Sequence, residues 1–147
     1  LIEKGRTSEA MEEYRQASRI DPDSAEAHNN LANVLLLSGR TSEAIDEYNQ
    51  ALRINPNSAE AHNNLGNAMV QTGRASEAID HFKQASRMNQ NTASSHSNLG
   101  AALAQMGRIP EAIEQVKAAL RINPGDIDAR NNLAKLEALQ KTTPEKK

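Results

Sequence analysis

Asparagine is the residue whose type and spacing could do chemistry in this chain. The sequence holds 15 of them in 147 residues. Asn29, Asn30 and Asn33 recur 34 residues later as Asn63, Asn64 and Asn67, and Asn98, Asn131 and Asn132 continue the series. Asparagine is a mediocre helix former, so a column of it within helical sequence needs a reason. Its carboxamide offers one acceptor and two donor hydrogens, which lets it bracket a peptide bond from the side. Such a column could hold an extended chain by its backbone with little demand on sequence. The competing reading is that each asparagine bonds its own neighbours and stabilises the turns between helices.

Other residue series favour packing over chemistry. His28, His62 and His96 share the same spacing, and neutral imidazole is a common metal ligand. Equivalent positions on packed helices, however, lie about 8–10 Å apart, too far for one ion. There is no Cys and no His-x3-His pair, so no metal or cofactor is implied, and each histidine is expected to satisfy its nitrogens locally. His81 stands alone and is expected to be exposed. Tyr14, Tyr48 and Phe82 fall in one column with Val116 and read as helix-packing residues, not as a platform for bases. The sequence has no GxSxG, no Gly-rich phosphate loop and no HExxH. The carboxylates recur with the repeat as helix-surface residues do, so the chain reads as no enzyme.

Composition narrows the class further. Hydrophobic residues make up 37%, with no Trp, and the formal net charge is −2. Any core must be built from Ala, Leu, Ile and Met, which suits closely packed helices. A near-neutral chain has no electrostatic pull towards nucleic acid or an anionic membrane. No apolar run approaches the roughly 18 residues that cross a bilayer. No signal peptide opens the sequence, and no Asn-x-Ser/Thr acceptor occurs. The expectation is a soluble, cytoplasmic protein without membrane insertion.

These residues are positioned by a repeat. Gly5, Gly39, Gly73 and Gly107 are 34 apart, as are Ala10, Ala44, Ala78 and Ala112, and Leu31, Leu65, Leu99 and Leu133. In residues 25–58, Ala27, Leu31, Val34 and Leu35 hold helical spacing, followed by Ala44, Ile45, Tyr48, Ala51 and Leu52. Each unit therefore reads as two helices joined at the glycine. Thr41 is expected to cap the second helix, and Pro22, Pro56 and Pro124 to end it. Ser24, Ser58, Thr92 and Asp126 are N-caps for the first helices. Glu43, Glu77 and Glu111 in the first turn and Arg53, Arg87 and Arg121 near the end complement the helix dipole. The organisation is one array over residues 1–141. A partial unit spans 1–24, full units span 25–58, 59–92 and 93–126, and a capping helix spans 127–141. Residues 142–147 are expected to be a disordered tail. Within the partial unit, residues 1–6 read as the end of a first helix and 7–20 as a second helix. The missing initiator Met makes the chain read as a fragment, a trimmed product or an incomplete part of a protein.

The unit resembles the tetratricopeptide repeat (TPR), whose pattern is Trp-x2-Leu-Gly-x2-Tyr, then Ala-x3-Phe, then Ala and Pro. The columns that carry the likeness are His28, Leu31, Ala32 and Leu35 with Ala44, Tyr48, Ala51 and Pro56, and their counterparts Leu65, Gly66, Ala78 and Phe82, then Leu99, Gly100, Ala112 and Val116. The departures are His in place of Trp in three units, Arg130 in the fourth, and Gln90 in place of Pro, which would loosen the turn after residue 88. The resemblance implies an all-α, right-handed superhelical solenoid of antiparallel helix pairs. It puts the asparagine-bearing helix on the concave face with Glu26, Leu36, Leu37, Glu60, Val70, Lys135 and Leu139. The column Asn30, Asn64, Asn98 and Asn132 is similar to the asparagine ladder in the TPR region of O-linked N-acetylglucosamine transferase. The implied function is a scaffold that binds a partner protein or extended peptide in the groove. Two alternatives are a substrate adaptor of a larger enzyme, such as a glycosyltransferase, and a self-assembly module in which solenoid ends, the N-terminal one included, or concave faces bind each other. TPR proteins that clamp chaperone tails carry groove cations, which Asn29, Asn63, Ser97, Glu26 and Glu60 do not supply.

Overall fold

The computed structural model describes residues 2–88 and 92–143. Gln90 and residues 144–147 lie outside it, and with them the loosened turn and most of the expected tail. The described residues form eight helices and no strands: α1 (Ile2–Ile20), α2 (Ala25–Leu37), α3 (Thr41–Ile54), α4 (Ala59–Gln71), α5 (Ala75–Arg87), α6 (Ala93–Gln105), α7 (Ile109–Ile122) and α8 (Ile127–Thr142). The chain divides into two compact units, Leu1–Gly73 and Arg74–Lys147. In the first, α2 packs on α1 and α3, and α4 packs on α3 and touches α2. In the second, α6 packs on α5 and α7, and α8 packs on α7. This is an all-α helical repeat fold.

The boundaries follow from capping. Ser24, Ser58 and Thr92 accept the amide hydrogens of Ala27, Ala61 and Ser95 through their hydroxyls, and Asp126 accepts that of Ala129. The four expected caps are therefore in place. Each first helix of a complete hairpin ends in a glycine with left-handed backbone. Gly39 has φ 75° and Gly107 has φ 72°, a conformation that costs a residue with a Cβ about 1–2 kcal/mol. The turn closes by Arg40 N–H on the Leu35 carbonyl at 2.9 Å and Gly39 N–H on Leu36 at 3.1 Å, which satisfies carbonyls left free at the helix end.

Three expectations about boundaries are corrected. The second helices are not capped by Thr41; Arg40, Arg74 and Arg108 occupy the cap positions and no side chain bonds the free amides. Residues 2–6 and 7–20 are one continuous helix, and Gly5 does not turn it. A glycine inside a helix costs only about 1 kcal/mol, so continuing is the cheaper course. At the other end α8 runs to Thr142 and the Thr143 amide bonds the Leu139 carbonyl at 3.1 Å, so helix and cap take two residues assigned to the tail.

The core is made of small residues, as the composition demands. Ala32, Ala44, Leu35 and Tyr48 are buried in the first unit, and Ala78, Phe82, Leu103, Ala112 and Val116 in the second. Tyr48, Phe82 and Val116 are packing residues and not a stacking surface. α8 buries only Ala129 and Leu136.

Candidate functional site

In the first unit the asparagines of α2 and α4 divide into two groups. Asn33, Asn64 and Asn67 line a shallow cleft of about 380 Å³ with Leu36 and Leu37. Leu37 is 84% exposed. The Tyr48 hydroxyl donates to Asn33 Oδ1 at 2.6 Å, and Asn64 Nδ2 donates to the same oxygen at 3.2 Å. Burial pushes the Tyr48 hydroxyl up to about 12, with the Glu60 charge adding to it, so it remains a donor at any ordinary pH. Asn29 is buried and its Nδ2 donates to Glu60 Oε1 at 3.0 Å. Asn63 is also engaged. Asn30 and Asn67 are half-buried and have no side-chain partner among the described residues. One group therefore ties α2 to α3 and α4, and the other keeps its amides available.

The second unit repeats this division with different residues. Asn98 on α6 is half-buried and engaged. Asn131 and Asn132 on α8 are exposed and without a side-chain partner among the described residues. Asn132 lines a cleft of about 310 Å³ with Ser97, Ala101, Lys135 and Leu139. Gly100 and Val116 close the cleft from behind α6: a Cβ on Gly100 would stand 3.0 Å from Val116 Cγ2.

Two of the histidines, His28 and His62, bind loop carbonyls. A carbonyl accepts, so His28 Nε2 donates to Pro22 at 3.1 Å and His62 Nε2 to Pro56 at 2.9 Å. His28 Nδ1 lies 2.6 Å from Glu47 Oε2, and His96 Nδ1 lies 2.8 Å from Gln115 Oε1. Arg130 takes the same part on α8, where its guanidinium donates to the Pro124 carbonyl. His28, His62 and Arg130 thus strap the loops before α2, α4 and α8 to those helices. Among the described residues no group of three His, Asp or Glu could hold a metal ion. His81, expected to be exposed, is half-buried and engaged.

One recurrent feature escaped the reading of charges as dipole partners alone. Arg40 grips Glu43 with Nε and Nη2 at 2.6 and 2.5 Å; Arg74 grips Glu77 at 2.7 and 2.6 Å, and Arg108 grips Glu111 at 2.7 and 2.6 Å. Each guanidinium holds its carboxyl below the usual carboxylate range, chiefly through these hydrogen bonds. The signal was present in sequence as Arg-x2-Glu at the repeat spacing.

Comparison with known families turns this geometry into an assignment. A TPR repeat model matches residues 1–39, 33–73 and 66–107, and a second tetratricopeptide repeat model matches 93–126. The chain belongs to the tetratricopeptide repeat family. Its TPR fold is similar to solved structures of the same kind. A crystal structure of MamA matches with a TM-score of 0.88 and 26% identity, over 94% of this chain and 81% of that one. YrrB, described as a TPR protein with an unusual peptide-binding site, matches with a TM-score of 0.81 and 25% identity, over 98% and 74%. PilF of Pseudomonas aeruginosa matches with a TM-score of 0.86 and 29% identity, over 95% and 64%. No curated protein matches the sequence. No helix of the described residues is long and apolar enough to cross a membrane.

Proposed function

We propose that this TPR chain is a protein-interaction scaffold that takes an extended peptide against the asparagine-bearing helices. The observation that carries the reading is the split within the asparagine columns. Asn33 and Asn64 are spent on holding Tyr48 and each other. Asn30, Asn67, Asn131 and Asn132 keep donors and acceptors without a side-chain partner among the described residues. Those on the clefts stand beside exposed Leu37 and Leu139, which would contribute apolar contact while the amides pair with backbone. YrrB's peptide-binding site on the same fold supports the class of partner.

The test is a peptide selected on the wild-type protein from a displayed random library. A neutral hydrogen bond is worth a net 0.5–1.5 kcal/mol or so. Asn30→Ala with Asn67→Ala should therefore weaken binding by about five- to 150-fold. The melting temperature should hold, because Ala is the better helix former. Asn33→Ala should do the reverse, lowering the melting temperature by releasing Tyr48 and Asn64. A library that enriches nothing, or a double variant with unchanged affinity, sinks the reading.

A second reading is self-association through α1. Ala10, Met11, Tyr14 and Ala17 are only half-buried, whereas their counterparts Ala44, Ile45, Tyr48 and Ala51 are buried. A second copy could complete that cover.

A further inference from the structure

The clefts of the two units lie in the same columns of the repeat and are filled differently. Asn33, Leu36, Tyr48 and Asn64 of the first cleft have Ala101, Ala104, Val116 and Asn132 as counterparts in the second. In the first unit the buried Tyr48 reaches the floor of the cleft, where Asn33 accepts its hydroxyl hydrogen. In the second unit Val116 stops short of that position, Ala101 has no acceptor to offer, and Ala104 is shorter than Leu36. What remains between α6 and α8 is a cleft of about 310 Å³, at the low end of the roughly 300–1,000 Å³ that ligand pockets span. That is room for one side chain. Its walls are Gly100, Ala101, Ala104, Val116, Leu136 and Leu139, all apolar. Lys135 supplies an independent observation. It stands in the column of Asn67, lines the cleft and is exposed. No ion pair engages it among the described residues. The positions three and four away on α8, where a helix places ion-pair partners, are Asn131, Asn132, Ala138 and Leu139. None is a carboxylate. An apolar slot with an uncompensated cation on its rim suits an occupant that is apolar at one end and anionic at the other.

We infer that the α6–α8 cleft receives an aromatic side chain of the bound chain, with a carboxylate beside it in that chain meeting Lys135. The inference rests on the scaffold reading above and gives it a specificity. The ring takes the place that Tyr48 fills from within in the first unit. An aromatic side chain carries a large apolar area on two torsions, so ordering it costs little. Asn132, exposed and without a side-chain partner among the described residues, stays available for the backbone of the same segment. The first cleft does not duplicate the site. Its own Tyr48 is already there, and Glu60 lines it and would repel the carboxylate.

The first arm of the test uses N-acetyl-phenylalanine as the probe, its own carboxylate standing in for the acidic neighbour, titrated into the whole protein and followed by NMR. Ring currents should shift the methyl resonances of Ala104, Val116 and Leu139 and leave those of Leu36 and Leu37 in place. N-acetyl-leucine, with less apolar area to bury, should need a concentration about threefold higher or more. N-acetyl-phenylalanine amide, which lacks the charge, should bind about two- to fivefold more weakly, and Lys135→Gln should erase that difference. Ala104→Leu places the first unit's residue at a half-buried position, so it should remove the ring response and keep the melting temperature. Methyl resonances that do not move, acid and amide that bind alike, leucine that binds as well as phenylalanine, or a response unchanged by Ala104→Leu overturns the inference. The second arm compares library selections on wild type and on Ala104→Leu with Lys135→Gln. An aromatic residue beside Asp or Glu should be enriched on wild type and lose about tenfold of that enrichment on the variant. Peptides selected equally without that pair would overturn the cleft assignment and leave the scaffold standing. A library that enriches nothing would remove the scaffold, with the NMR arm still deciding the cleft.

Discussion

At the residue scale the asparagines show how one residue type can serve two purposes on one helix. Asn33 lies where Tyr48 can reach it, so its oxygen is used twice within the fold. Asn30 is three positions earlier and meets no side chain among the described residues. The recurrence of these residues was legible in sequence. Their division was not, because it depends on which face of α2 meets α3, and every asparagine offers the same donors and acceptors before packing. Glycine gives a sharper case. Gly100 has a Cβ position 3.0 Å from Val116 Cγ2 and 3.3 Å from the Ala112 carbonyl. Its counterpart in the first unit is Ala32, fully buried beside a column that carries Tyr48 instead of Val116. Gly100→Ala should therefore lower stability by about 1–3 kcal/mol, the usual cost of overpacking, despite the better helix propensity of Ala. Gly39→Ala should lower it by about 1–2 kcal/mol for a different reason, since the space around Gly39 is open and only its φ of 75° resists a side chain. Restoring room with Val116→Ala should recover part of the loss in Gly100→Ala and none of that in Gly39→Ala, as read by urea unfolding.

At the element scale the second helices begin without a side-chain cap, and the Arg–Glu pairs stand in that place. The first helices have capped amides, and their N-caps were readable from sequence because Ser, Thr and Asp are short acceptors next to an apolar run. The Thr41 expectation failed because a residue already inside the helix, one step past the Arg40 cap position, is poorly placed to bond its free amides. Gly5 failed because it keeps helical backbone, and a glycine inside a helix costs only about 1 kcal/mol. The pairs lead to a pH prediction. Glu43, Glu77 and Glu111 have folded-state values below their unfolded ones. Their contribution is therefore present above the ordinary carboxylate range and is lost as pH falls below it towards the depressed values. The melting temperature should decline with acid below about pH 4.3. In a triple variant carrying Glu43→Gln, Glu77→Gln and Glu111→Gln that decline should be shallower. Because the pairs are solvent-exposed, the neutral-pH difference between the proteins should be small and should shrink in high salt. A triple variant with the same acid profile as wild type would show that the carboxylates behind the decline lie elsewhere.

At the scale of the whole molecule, the composition permits no single large core, and stability must be added up from one helix-on-helix contact after another. The histidine column belongs to this accounting: His28 and His62 spend their nitrogens on the loops at Pro22 and Pro56, so a chelator should leave the helical circular dichroism and melting temperature unchanged. A melting temperature that falls with chelator and recovers with zinc would overturn that assignment. An array built this way is least satisfied where a helix has a neighbour on one side only. Among the described residues α1 packs mainly on α2, with the Arg40 guanidinium touching the Met11 sulfur at 3.2 Å. Met11 and Tyr14 stay half-buried where Ile45 and Tyr48 are buried. Covering a few hundred Å² of such surface at about 25 cal/mol per Å² yields several kcal/mol, against an association cost of about 4–15 kcal/mol. On the self-association reading proposed above, the balance allows at most a weak dimer, visible only at high concentration. Sedimentation of residues 1–147 from micromolar to millimolar concentration should show that transition, and Met11→Glu with Tyr14→Glu should shift it up by tenfold or more, since a buried carboxylate without a partner is costly. A chain that stays monomeric throughout, or a double variant that associates as wild type does, would overturn self-association through the apolar face of α1.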